Sequence, residues 1–199
     1  MGAPNGLRER KKLDTRRRIE SVALDLFERD GFNATTINDI AAAADIAPRT
    51  FFHYFPTKED VVLADYADRL GRIAGTLAEQ PDTESPWSAL QRAFVVVASD
   101  YEVTKSQLLR RFRIMANTPS VFARSLQLQA DWENTLADAL TLRMGVEPNR
   151  DITPHLLAAA ALAAMRASLR HWLAGGGVSS LPEHVTQCFD RLAQGISRD

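Results

Sequence analysis

Residues 35–59 read TTINDIAAAADIAPRTFFHYFPTKE, and the spacing of their apolar side chains decides the fold. Ile37, Ile40, Ala41 and Ala44 recur at helical intervals, which predicts a short helix from about Thr36 to Ala43 with Thr35 or Thr36 as its N-cap. Asp45-Ile46 forms a turn; Asp is one of the few residues other than Gly that tolerate a left-handed backbone. A second short helix starts near Pro48, where a first-turn proline is pre-organised. Ala47 is its N-cap, Ile46 and Phe51 can pack as a hydrophobic staple around it, Phe51 and Phe55 form an inward i, i+4 pair, and Pro56 ends it. Two short helices joined by a tight turn are the layout in which the second enters a DNA major groove.

The second of these helices carries the chemistry. Only Phe51 and Phe55 are needed inward, which leaves Arg49, Thr50, Phe52, His53 and Tyr54 on or near the surface. So many aromatic and hydrogen-bonding groups on one short exposed helix call for a bound partner. Arg49 can offer a two-pronged fork to guanine O6 and N7, and Thr50 can meet a base edge or a thymine methyl. His53 and Tyr54 can donate to phosphates, and Lys58, opening the next helix, sits where a phosphate is favoured. Packing of Phe52 and Tyr54 under the first and fourth helices is the alternative, compatible with partial exposure.

Upstream, Ile19, Val22, Ala23, Leu26 and Phe27 mark one face of a helix that stops at Asp30-Gly31, where Gly takes a left-handed C-cap. Residues 1–18 hold seven basic side chains, Arg16 and Arg17 among them, against two acidic ones, a local charge of +5. In the rest of the chain 17 basic residues face 23 acidic ones. A phosphate backbone attracts such a segment regardless of sequence, so Arg16 and Arg17 are expected DNA contacts. A solvated terminus is the plainer reading of the same charges.

Downstream, a Thr57-x-x-Asp60 capping box opens a helix predicted to run through Val62, Tyr66, Leu70, Ile73 and Leu77 to Gln80. The Pro/Asp/Ser stretch from Gln80 to Pro86 reads as a domain boundary. Further helices are predicted at Pro86 to Val103, Lys105 to Asn117, Pro119 to Arg143, Pro154 to Ala174 and Leu181 to Ser197, with Gly175 to Gly177 as a loop. The fold class is all-α. By function the chain divides into a DNA-binding helix-turn-helix part with a basic arm, 1–60, and a helical ligand-binding and dimerisation part, 61–199, with the Lys58 to Gln80 helix linking them.

Several functions are excluded on composition and motif. A chain 45% hydrophobic and 25% charged is an ordinary globular protein. The single cysteine, Cys188, allows neither an intrachain disulfide nor a Cys-based zinc site, and a reducing cytoplasm fits. The histidines, His53, His155, His171 and His184, lack metal-motif spacing. No nucleophile elbow, phosphate loop or dinucleotide fingerprint occurs, so neither an enzyme nor a cofactor is expected. The longest apolar run, Leu156 to Met165, is too short to span a membrane.

The stretch from Arg16 to Leu63, carrying TTINDIA at 35–41 and TFFHYFPTKE at 50–59, closely resembles the DNA-binding domain of TetR-family repressors. The resemblance implies a homodimer that reads a palindromic double-stranded DNA operator and lets go when a small molecule enters the C-terminal part. By position it implies DNA contacts at Thr36, Asn38, Pro48, Arg49, Thr50, Phe52, His53, Tyr54 and Lys58. Two positions depart from the family: Asp45 replaces the usual turn Gly, and Ala47 replaces a Ser cap, which forfeits about 0.5 to 2 kcal/mol.

For the C-terminal part, apolar groups with a few polar anchors make a ligand cavity. Phe94, Tyr101, Phe112, Met115, Phe122, Trp132 and Met165 are the expected lining, with Trp87, Asn117 and Gln129 nearby in sequence; each can equally be core. Met165 and Trp172 can close the pocket or fill a dimer seam. The alanine-rich helix from Pro154, with the last helix through Val185, Phe189, Leu192 and Ile196, is expected to form the four-helix dimer bundle, or to pack within its own chain. The functional expectation is a repressor released by a small, largely apolar effector. An activator of the same fold, or a helical dimer that uses its first domain for protein contacts, remains the alternative.

Overall fold

A computed structural model describes residues 4–148 and 150–195, and among these there is no strand. Ten helices follow in order: α1 Pro4–Asp30, α2 Ile37–Ala43, α3 Pro48–Tyr54, α4 Lys58–Val62, α5 Tyr66–Glu79, α6 Pro86–Val103, α7 Lys105–Ala116, α8 Pro119–Met144, α9 Thr153–Ala174 and α10 Leu181–Gln194. Ser and Thr caps start α2, α4, α6 and α10, and proline sits in the first turn of α3, α6, α9 and α10, as their preference for those positions dictates. Gly31 ends α1 with φ 89°.

The chain forms two compact units. The first holds residues 1–64 and 110–125, the second residues 65–109 and 126–199. In the first, α2 lies against α1 and α3, and α4 against α1. Ile19, Ala23 and Phe27 of α1, Ile40 and Ala41 of α2, Phe51 of α3 and Val61 of α4 make its buried core. In the second, α6 lies against α5, α9 and α10, and α9 against α10. Trp87, Phe94 and Phe189 stack there, with Phe189 centroids 4.6 Å from Trp87 and 5.8 Å from Phe94.

The helix expected from Lys58 to Gln80 is broken after Val62. Continuing it would require the carbonyls of its last turn to accept from the following amides. Instead the turn tightens, with Ala64 N donating to Val61 O at 3.4 Å, and guanidinium groups supply the remaining donors: Arg111 Nη1 donates to Val61 O at 2.6 Å and Val62 O at 2.8 Å, and Arg16 Nη2 to Ala64 O at 2.7 Å. The stretch from Gln80 to Pro86, read from composition as a boundary, lies inside the second unit. There Arg143 donates to Leu77 O, Gln80 O, Pro81 O and Glu84 O.

Val185 and Phe189, expected at a dimer seam, have no exposed surface because they fill their own chain's core beside α6, and Ala158 and Ala161 are equally buried. The outward face of α9 is instead Leu156, Ala163, Arg166, Ala167 and Arg170. Ile196, the last expected seam residue, and the end of the helix foreseen to Ser197 lie outside the described residues. The glycine loop after α9 is held by Trp172, whose Nε1 donates to Ser179 O at 2.7 Å, and by Lys105 Nζ donating to Gly177 O at 2.6 Å. Gly177 has φ +67°, and a Cβ there would stand 2.6 Å from Lys105 Cε and 3.0 Å from Trp172 Cζ2. Glycine alone fits.

Candidate nucleic-acid interface

The first unit assembles its site from local signals. Thr36 caps α2 in a full capping box: its hydroxyl accepts from Asp39 N at 3.1 Å while Asp39 Oδ2 accepts from Thr36 N at 2.8 Å. The Thr36 hydroxyl in turn donates to Asp39 Oδ2 at 2.6 Å, and this bond first, with that from Thr36 N second, holds the Asp39 carboxyl below the usual carboxylate range. Asp45, with φ 51°, makes the turn into α3. Ala47 is the N-cap of α3 and supplies no side-chain acceptor. Its backbone, φ −71° and ψ 145°, already suits a capping serine. The substitution Ala47→Ser is therefore expected to stabilise the protein by about 0.5 to 2 kcal/mol, seen as a higher urea midpoint with an unchanged slope.

On α3, Phe51 is fully buried and Phe55 nearly so, while Phe52 keeps 55% of its surface exposed. Pro48, Arg49 and His53 are exposed, and Thr50 and Tyr54 partly so. The ring of Phe52 meets Phe51 edge to face at 5.6 Å, and His53 meets Tyr54 likewise at 5.3 Å. A helix turn that buries two phenylalanines thus leaves Arg49, Thr50 and Phe52 on its outward side. Thr36 and Asn38, both exposed, open α2, and Arg17 is exposed on α1.

Two expected contacts are placed differently. Lys58 Nζ donates to Phe32 O at 2.9 Å and Thr35 O at 2.6 Å and stands 4.6 Å from the centre of the Phe32 ring. Its ammonium closes the loop between α1 and α2, whose carbonyls would otherwise lack donors, rather than standing out for a phosphate. Arg16, committed to Ala64 O and to Glu20 at 3.4 Å, holds the α4 end. Sequence reasoning missed Arg111, 7% exposed, which also pairs with Glu20 at 2.9 Å; nothing local to residue 111 signals this role.

The expected ligand residues divide. Phe112, Met115 and Phe122 belong to the first unit, and Phe94, Tyr101, Trp132 and Met165 to the second. Phe122 is 52% exposed, on the surface rather than in an enclosed lining, and Phe94 is core against Phe189. Tyr101 and Trp132 do share a polar-aromatic cluster: Trp132 lies 5.3 Å from Tyr66, and the Arg69 guanidinium, paired with Asp65, stacks 3.6 Å from the centre of the Tyr101 ring. Burial, with the neighbouring Asp65 carboxylate adding to it, pushes the Tyr66 phenol up to about 12, and burial likewise raises Tyr101. A folded value above the ordinary 10.0 means that the stability Tyr66 contributes is whole below pH 10 and is lost as pH rises towards 12. Tyr66→Phe is expected to flatten that alkaline loss in thermal unfolding followed from pH 9 to 12.

Among the described residues no group of three or more histidine, cysteine or carboxylate side chains could hold a metal ion, and no helix is long and apolar enough to cross a membrane.

Comparison with known proteins bears on the same two parts. Residues 19–64 match the model of bacterial regulatory proteins of the tetR family, and residues 84–197 match the model of the MftR C-terminal domain. The chain is similar to the HTH-type transcriptional regulator TcmR of Streptomyces glaucescens, 32% identical over 85% of this chain and 78% of that one. It is also similar to the Mycobacterium tuberculosis protein named for transcriptional regulation of mycofactocin biosynthesis, MftR, at 29% identity over 95% of this chain and 94% of that one. Among solved structures it is similar to Thermus thermophilus FadR, a TetR-family repressor in complex with lauroyl-CoA, at 28% identity, a TM-score of 0.59, and coverage of 92% and 96%.

Proposed function

This chain belongs to the TetR family of bacterial transcriptional regulators, and we propose that it is a repressor that binds a palindromic operator as a homodimer and releases it when a small, largely apolar effector enters its C-terminal part. The observation that carries the DNA reading is α3. Its buried Phe51 and Phe55 fix the helix, and Arg49, Thr50 and Phe52 are then left facing outward with the donors and the apolar edge that base readout uses. His53, Tyr54, Asn38 and Arg17 serve backbone phosphates beside them, with Pro48 at the leading edge of the helix and Thr36 holding Asn38 in place. Lys58 and Arg16 act one step back, by positioning the elements that make contact.

The dimer reading draws on α9, where exposed Ala163 and Ala167 lie four residues apart, on one face, and allow a partner helix to approach closely. The effector reading draws on the cluster of Tyr66, Arg69, Tyr101 and Trp132. FadR of Thermus thermophilus was solved with lauroyl-CoA, whose acyl chain is the apolar part that such a pocket would take, and that makes lauroyl-CoA the first compound to try. An effector acts only through its different affinity for the two states, typically about 1 to 3 kcal/mol of coupling.

The test is selection of bound sequences from randomised duplex DNA, followed by titration of the selected duplex with lauroyl-CoA. A palindromic winner bound by a dimer, with affinity falling on addition of acyl-CoA, supports the reading. Enrichment of no sequence overturns it, and a palindrome whose affinity ignores the acyl-CoA removes that effector class.

A further inference from the structure

We infer that the N-terminal extension of α1 and the C-terminal end of α3 together form a cradle for the DNA backbone beside the bases that α3 reads. The inference rests on the DNA reading above and adds a second, sequence-blind contact site to it.

The basic segment at the start of the chain is part of a helix, since α1 begins at Pro4. Arg8, Arg10, Lys11, Lys12, Arg17 and Arg18 are all exposed on it, and among the described residues none of them has an ion-pair or hydrogen-bond partner for its side chain. Apart from Arg49 on α3, arginines elsewhere in the first unit are committed, among them Arg29 to Asp30, Arg110 to Asp25 and Glu28, and Arg111 to Glu20. Unpaired cations gathered on three helical turns raise the local potential and attract a polyanion.

The structure brings part of this segment onto α3. Arg8, Lys11, Lys12 and Thr15 line a cleft of about 480 Å³ with His53 and Tyr54. Three cations face one carboxylate there, that of Glu9, and the neutral groups are donors suited to phosphate oxygens. Thr15 Oγ1 meanwhile donates to Lys11 O at 2.9 Å. The residues that would read bases, Arg49 and Thr50, lie one helical turn earlier on the same helix, so the cleft adjoins the half-site instead of overlapping it. The only large apolar side chain described as exposed on the segment is Leu13, too little for a lipid surface or an apolar protein groove, which leaves a backbone of phosphates as the occupant.

Arg8 and Arg18 stand about 15 Å apart along the axis at about 1.5 Å per residue, the length of four to five base pairs at about 3.4 Å each. The footprint should therefore extend by about that much beyond the bases read by α3.

The test uses the full-length protein with Arg8→Gln, Lys11→Gln and Lys12→Gln combined, an Arg49→Ala control, the selected operator and a random duplex of equal length. All three glutamine changes are on exposed side chains, and an unchanged circular dichroism melting curve establishes that folding is intact. The triple variant is expected to lose at least tenfold in affinity at 0.1 M salt, by a similar factor on both duplexes, and the slope of log affinity against log salt to fall by between about one and three. Trimming the operator to the half-sites should abolish the difference between variant and wild type. Unchanged affinity and slope in the triple variant, with Arg49→Ala still losing the selected sequence, overturns the cradle and leaves the DNA reading standing. Loss confined to the selected operator also overturns it, because the segment would then be reading bases. Wild-type protein that binds no duplex removes both readings.

Discussion

Arg111→Met is expected to cost about 3 to 5 kcal/mol of stability, the loss that follows when one partner of a buried charged network is removed. Arg111 is 7% exposed and bonds at 2.6, 2.8 and 2.9 Å to Val61 O, Val62 O and Glu20 Oε2. Without it Val62 O loses its donor in a dry setting and Val61 O keeps only the long bond from Ala64 N at 3.4 Å, and a buried acceptor left unmade costs about 1 to 3 kcal/mol. Glu20 keeps Arg16 at 3.4 Å, so the carbonyls carry most of the effect. Arg111→Lys should recover only part of it, because one compact ammonium cannot span three acceptors as a planar fork does. Urea unfolding of the three proteins measures this. A loss below about 1 kcal/mol in the methionine variant would mean that α4 ends where it does for some other reason.

The same network bears on regulation. Residues 105–109 of α7 belong to the second unit and residues 110–116 to the first, so one continuous helix runs from the unit proposed to take the effector to the arginine bonded at the end of α4. A change in the C-terminal part that shifts α7 along or about its axis would alter the hold of Arg111 on Val61 and Val62. The Arg111→Lys variant, folded but weakly latched, is expected to bind operator less tightly and to respond less to effector, since coupling needs a two-state element that both sites bias.

What was legible in the sequence was whatever its own neighbours determine. The caps at Thr36 and Thr57, the left-handed Asp45, the Pro48 start and the Phe51–Phe55 pair are set within a few residues of one another, and each is read from spacing and residue type alone. The break between α4 and α5 was not legible, because what replaces the helical bonds comes from Arg16 and Arg111, 48 to 50 positions away. Lys58 has a similar explanation: a lysine in the first turn reads as a phosphate ligand until the carbonyls of Phe32 and Thr35 are seen around it. Periodicity told that Val185 and Phe189 face inward, but an apolar stripe does not say whether inward means its own core or a partner. Tertiary contacts decided for the core.

Phe51 and Phe52 are adjacent phenylalanines with opposite expected effects, and they separate folding from DNA binding. Phe51 has no exposed surface and packs 5.9 Å from Phe55. Phe51→Ala should cost about 3 to 5 kcal/mol and take DNA binding with it, because the recognition helix then lacks its anchor. Phe52, 55% exposed, loses in Phe52→Ala mainly its edge-to-face contact with Phe51, about 0.5 to 1.5 kcal/mol. Affinity for the selected operator should nevertheless fall at least tenfold, the apolar edge having nothing to replace it against a thymine methyl. Paired thermal melts and binding isotherms read both quantities. Equal destabilisation by the two alanines would place Phe52 in the core and take it out of the interface, whereas a stable Phe52→Ala protein that has lost its operator would assign the exposed ring to DNA.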